Sequence, residues 1–165
     1  MLLQIFQGTP LRIWILLAGL VVLGVWQARP RTIAPARAAA LPAALLVLSL
    51  AGVVSTFGAS APALAAWAAG IAAALAIGPR VLPPVDATWS ATHGAIRVAG
   101  SWLPLALILG LFATKYVAGV SLALHPDLAA QARFAILCGL AYGLFSGVFA
   151  ARGWQLWRIR AAVRG

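Results

Sequence analysis

The sequence predicts an all-α integral membrane protein of bacterial type, with five transmembrane helices and a small β-hairpin in the third loop. Three observations lead there. Hydrophobic residues make up 64% of the chain and charged residues 8%, with a mean hydropathy of +1.01. A soluble domain carries about 25% charged residues to keep its surface wetted. The apolar residues also come in runs close to the roughly 20 needed to cross a bilayer core. Finally, the net charge of +10 comes from basic residues placed between those runs. They form no stripe or block of the kind that grips nucleic acid, so the expected partner is the lipid bilayer.

The first run covers about residues 11–27 and follows Thr9-Pro10. Thr as cap and Pro at the first helical position make a good helix start. Ala36-Arg37-Ala38 formally offers a signal-peptidase site, but a signal peptide has its positive charges ahead of the apolar core. Here Arg29, Arg31 and Arg37 follow it, the charge order of an uncleaved anchor with its N-terminus outside.

The second run, about 38–57, opens in the region of Pro35 and Pro42. The third, 62–77, is short and alanine-rich, and a span of that kind leans on neighbouring helices or a thinned bilayer. A tight turn at Gly58-Ala59-Ser60-Ala61 joins the two as a helical hairpin.

Residues 78–101 differ in kind. Pro79, Arg80, Pro83, Pro84, Asp86, His93 and Arg97 together are incompatible with a spanning helix. Thr88-Trp89-Ser90 and Ala95-Ile96-Arg97-Val98 alternate in polarity around Ala91-Thr92-His93-Gly94, which reads as a short hairpin. An isolated hairpin is marginal in water, so this one is expected to rest on the helix ends or headgroups, with Trp89 and Trp102 at the interface.

The fourth run is 102–124 and the fifth about 134–157, joined through His125-Pro126-Asp127. With five spans and an external N-terminus, nine of the twelve basic residues face the cytoplasm: Arg29, Arg31, Arg37, Arg80, Arg97, Arg152, Arg158, Arg160 and Arg164. Only Arg12 and Arg133 fall outside. That bias places the C-terminus in the cytoplasm and the chain in the bacterial inner membrane.

Lys115 is the residue that most invites a functional reading. It lies about 3 Å from the middle of its run at 1.5 Å per residue, where insertion scales charge about 2.5–3.5 kcal/mol. The only acids, Asp86 and Asp127, are in loops. Help can come from Thr114, Tyr116, backbone carbonyls, or Tyr142 and Ser146 of the fifth run. Two alternatives stay open: a polar intramembrane site that binds an anion or relays a proton, or a stem that snorkels outward and ties helices together.

Gly139, Gly143 and Gly147 place small residues every four positions on the fifth helix, which permits close helix approach. Internal packing, for instance against Gly110, Thr114 or Gly119 of the fourth run, is favoured over a homo-oligomer seam. Ser121, His125 and Asp127 crowd together, but a triad is defined by geometry and Pro126 interrupts them. Gly143-Leu144-Phe145-Ser146-Gly147 lacks the nucleophile-elbow spacing. His93 and His125 fall on opposite sides of the membrane, and Cys138 reads as a small buried hydrophobe. The expectation is a protein with no enzymatic constellation, no cofactor and no metal, working by helix contacts with itself or another membrane protein.

Several stretches together resemble a family of small bacterial inner-membrane proteins known only as a domain of unknown function. They are the Met1-Leu2-Leu3-Gln4-Ile5 opening, Thr9-Pro10-Leu11-Arg12-Ile13-Trp14, Ala28-Arg29-Pro30-Arg31, Ser101-Trp102-Leu103-Pro104-Leu105, Thr114-Lys115-Tyr116 and Tyr142 to Gly147. The resemblance runs over nearly the whole chain. It implies an all-helical membrane protein and assigns no chemistry.

Overall fold

A computed structural model describes residues 10–90 and 94–162. Thr9, read above as a helix cap, and His93 lie outside the described residues, as does most of the hairpin turn. Among these described residues, five helices and three short strands follow in order. Helix α1 is Leu11–Ala28, strand β1 is Arg31–Ile33, and helix α2 is Pro35–Phe57. Helix α3 is Ala61–Val81, strands β2 and β3 are Ala87–Ser90 and Ala95–Val98, and helix α4 is Leu103–Leu124. A 3-10 turn over Pro126–Ala130 leads into helix α5, Ala132–Ala162.

Among the described residues four helices are long and apolar enough to cross a membrane: Leu11–Ala28, Ala61–Val81, Leu103–Leu124 and Ala132–Ile159 of α5. The alanine-rich run expected to be marginal is among them. It extends through Gly78 and Pro79 to Val81 and reaches 21 residues. A proline in the last turn removes only one late hydrogen bond, so the helix continues one turn past the residue expected to end it. The helix outside the four is α2. Its 23 residues include Arg37 and two prolines, which leaves Pro42–Phe57 as its apolar part.

Helix α5 is the hub. Its largest contact is with α3, then α2, with a smaller one to α4, while α1 leans chiefly on α4. The glycine face of α5 meets α3 and not α4. A Cβ on Gly139 would strike the Ala63 carbonyl, one on Gly143 the Trp67 carbonyl, and one on Gly147 would lie 2.6 Å from Ala74 Cβ. On α3, Gly70 is equally tight against the Leu140 and Leu144 backbone. Both partners supply small residues at four-residue spacing, so two backbones come together at a depth that larger side chains forbid.

The expected hairpin is present as β2 and β3, with Ala87 opposite Val98 and Ser90 opposite Ala95. A third strand joins it: β1 pairs antiparallel with β3, Arg31 opposite Val98 and Ile33 opposite Ile96. The sheet order is therefore β1-β3-β2. Ile96 (0% exposed) and Val98 turn inward onto Ala38, with Trp89 and Leu156 packed around them. Arg97, between them on the strand, turns outward. Trp89 thus joins a small core, while Trp102 is exposed. Gly100 closes the arrangement at φ +87°, where a Cβ would lie 2.7 Å from the Arg29 carbonyl carbon. Only glycine meets both demands.

These contacts gather one end of the bundle. The segment before β2 is tied to α5, since Val85 N–H donates to Gln155 Oε1 at 3.2 Å and Arg152 donates to the Pro83 carbonyl at 3.5 Å. At the opposite end, Phe57 and Phe134 meet edge to face with centroids 6.0 Å apart. Helix α2 therefore runs from the sheet to the far end of the bundle, about 34 Å at 1.5 Å per residue.

Candidate functional site

Lys115 points across the bundle. Its Nζ lies 5.0 Å from the centroid of the Tyr142 ring, and a Cβ on Gly52 would come within 2.6 Å of it. Three helices thus meet at the ammonium: α4 carries it, α2 makes room with a glycine, and α5 offers a ring face. A cation over an aromatic face is worth about 2 kcal/mol when desolvated, which offsets much of the insertion cost. Tyr142 itself is buried.

The other residues named from sequence separate. Thr114 donates to the Gly110 carbonyl of its own helix at 2.8 Å. Tyr116 stacks on Phe112, centroids 6.1 Å apart. Ser146 is 1% exposed and its hydroxyl has no hydrogen-bond partner among the described residues. The structure brings Lys115 and Tyr142 together, and leaves Ser146 one turn along α5 as an enclosed polar group.

A hydrogen-bond chain not read from the sequence passes beside Tyr142. Trp67 Nε1–H donates to Ser49 Oγ at 3.0 Å, and Ser49 Oγ donates to the Tyr142 carbonyl at 3.3 Å. It links α3, α2 and α5. The available signal was a serine inside the apolar run of α2.

At the turn between α4 and α5, Asp127 accepts from the Gln131 amide at 2.9 Å, and the His125 N–H caps α4 at the Ser121 carbonyl. Among the described residues no group of three or more His, Cys, Asp or Glu has the spacing to hold a metal ion.

A cavity of about 520 Å³ lies at the sheet end. The last turn of α1 enters it with Gln27, strand β1 with Arg31, and α5 with Arg152. Gln27 is 5% exposed, and its Nε2 has no partner among the described residues. Arg31 Nη1 donates to the Gln27 carbonyl at 2.6 Å, and the guanidinium carbon lies 5.1 Å from the Trp26 ring centroid. Its Nε is enclosed and unpartnered. Burial pulls the Arg31 pKa below the usual arginine value, yet a guanidinium stays charged. Sequence patterning does not reveal this site, because a glutamine at the end of an apolar run looks like any interfacial polar residue. Only the return of β1 under α1 encloses it.

With this geometry in view, comparison with known proteins places the chain in a family. Residues 1–164 match the family of unknown function DUF6622, and the chain belongs to it. No curated protein and no solved structure matches the chain.

Proposed function

We propose that this member of the DUF6622 family is a five-span protein of the bacterial inner (cytoplasmic) membrane, N-terminus outside and C-terminus cytoplasmic. Its task on this reading is that of a structural or accessory protein working through helix contacts, not an enzyme. The observation that carries the topology is the sheet. Strand β1 precedes α2 and strands β2 and β3 follow α3, yet β1 pairs with β3. Both loops therefore share one side, and α2 and α3 must cross together or not at all. Helix α3 has the length and hydropathy of a span, and α2 runs the length of the bundle beside it, so crossing together is the consistent choice. The same end carries Arg29, Arg31, Arg80, Arg97, Arg152 and Arg158, the bias of a cytoplasmic face. Cysteine labelling in a Cys138→Ala background tests the orientation: Ser60→Cys should react from outside and Arg97→Cys only from inside. Equal labelling of the two would sink it.

The accessory role follows from which surfaces remain. The glycine face of α5 is occupied by α3. Helix α1 leans chiefly on α4 and presents Ile15, Leu16 and Val22 outward. That face is open to a second copy or another membrane protein. An Ile15→Cys variant is expected to cross-link in native membranes. A protein that stays monomeric and partnerless there would overturn the role.

One observation favours a second reading. The Lys115 ammonium is directed between α2 and α5, and Ser146, one turn from Tyr142, is buried without a hydrogen-bond partner among the described residues. On this reading the interior binds an anion or relays a proton. Flux in liposomes that survives Lys115→Met unchanged would remove it.

A further inference from the structure

We propose that the cavity at the sheet end binds the phosphate headgroup of an anionic phospholipid from the adjoining leaflet. Three features of the cavity lead to this. The first is an enclosed donor in need of an acceptor. The Gln27 amide is 5% exposed and its Nε2 is unpartnered among the described residues. A buried donor left so costs about 1–3 kcal/mol, which an incoming phosphate oxygen would recover.

The second is uncompensated positive charge. Arg31 and Arg152 both line the cavity. The hydrogen bonds they make go to neutral carbonyls, of Gln27 and Pro83, and no carboxylate among the described residues pairs with either. Arg31 keeps an enclosed Nε free to donate. Two guanidiniums and an amide form the donor set that phosphate oxygens accept most strongly.

The third is the remaining wall, which apart from Thr32 and Ser101 is apolar, with Leu23, Trp26, Pro42, Phe149 and Leu156 among its residues. A free phosphate ion would meet the donors but leave that wall uncovered. An amphiphile satisfies both halves, its phosphate on the arginines and its chains along the helices. The depth agrees, because the donors come from the last turn of α1 and strand β1, at headgroup level. Basic pockets between helices on the cytoplasmic side are where anionic headgroups bind. That the leaflet is the cytoplasmic one rests on the orientation proposed above; the binding does not.

The test is thermal unfolding of the purified chain in mild detergent, titrated with short-chain phosphatidylglycerol, with phosphatidylcholine of the same chains, and with inorganic phosphate. Phosphatidylglycerol should raise the unfolding temperature well above the effect of phosphatidylcholine, and inorganic phosphate should neither reproduce the rise nor compete. Arg31→Gln should weaken the apparent phosphatidylglycerol affinity by about tenfold or more, the worth of a charge-assisted hydrogen bond. Gln27→Leu, which suits the apolar wall, should also weaken it. Arg12→Gln, an equal charge change on the first turn of α1, should leave it intact. Equal response to the two lipids in the wild type overturns the proposal without any variant having to fold. So does full competition by inorganic phosphate, retained preference in Arg31→Gln, or equal loss in Arg12→Gln. Because binding in detergent is blind to orientation, its failure is distinct from a failure of the labelling experiment.

Discussion

Lys115 carries two opposed terms whose sizes can be compared. Holding an ammonium near the middle of a span costs about 2.5–3.5 kcal/mol, and the Tyr142 ring returns about 2 kcal/mol. Lys115→Met keeps volume and removes both, so it should leave stability in mild detergent unchanged or raised by about 1 kcal/mol. A clear loss would mean that the ammonium bonds neighbouring helices more strongly than the ring contact describes. Tyr142→Leu should destabilise the wild type more than it destabilises Lys115→Met, with a coupling of about 0.5–2 kcal/mol in the double-mutant cycle. Additive losses would show that the ring and the ammonium do not interact. Lys115 is legible from sequence because a charge inside an apolar run is conspicuous. Ser49, Trp67 and Gln27 are not, since a serine, a tryptophan and a terminal glutamine are ordinary in such runs. Their partners are set by helices far away in sequence.

At the scale of elements, the contact between α3 and α5 fixes the bundle. A side chain at Gly143 meets the Trp67 backbone, which cannot rotate aside. Gly143→Ala should therefore cost about 1–3 kcal/mol of overpacking, seen as a lowered unfolding temperature. Gly119, with nothing within 4 Å of a built Cβ, is the matched comparison, and Gly119→Ala should fall within about 0.5 kcal/mol of wild type. If both behave alike, the glycine face is not the contact that holds these helices. The sequence shows the glycine face itself but not its partner, because α4 also carries glycines. The alanine content that makes α3 look marginal as a span is what lets it approach α5 so closely. Strand β1 escapes sequence reading for a different reason: its three residues, Arg31–Ile33, are too few to show alternation. The hairpin it joins is long enough to do so.

For the whole molecule, charge and topology point the same way. Basic residues scattered along the sequence converge on one end because β1, the hairpin and the end of α5 converge there. The positive bias is legible by counting, given the right number of spans. The sheet supplies what counting lacks, a physical tie between two loops separated by a helical hairpin. On the proposed five-span topology, that tie makes the crossings of α2 and α3 a single event. It also builds the cavity with Gln27 and Arg31, so topology and candidate site depend on the same strand. The most direct measurement is disulfide formation between Thr32→Cys and Arg97→Cys, which stand opposite each other in the sheet. It would be made in a Cys138→Ala background, with an oxidant added to native membranes. Rapid intramolecular cross-linking, with both cysteines reacting only from the cytoplasmic side, is the expected result. Two cysteines that do not join, or that label from opposite sides, would contradict the account.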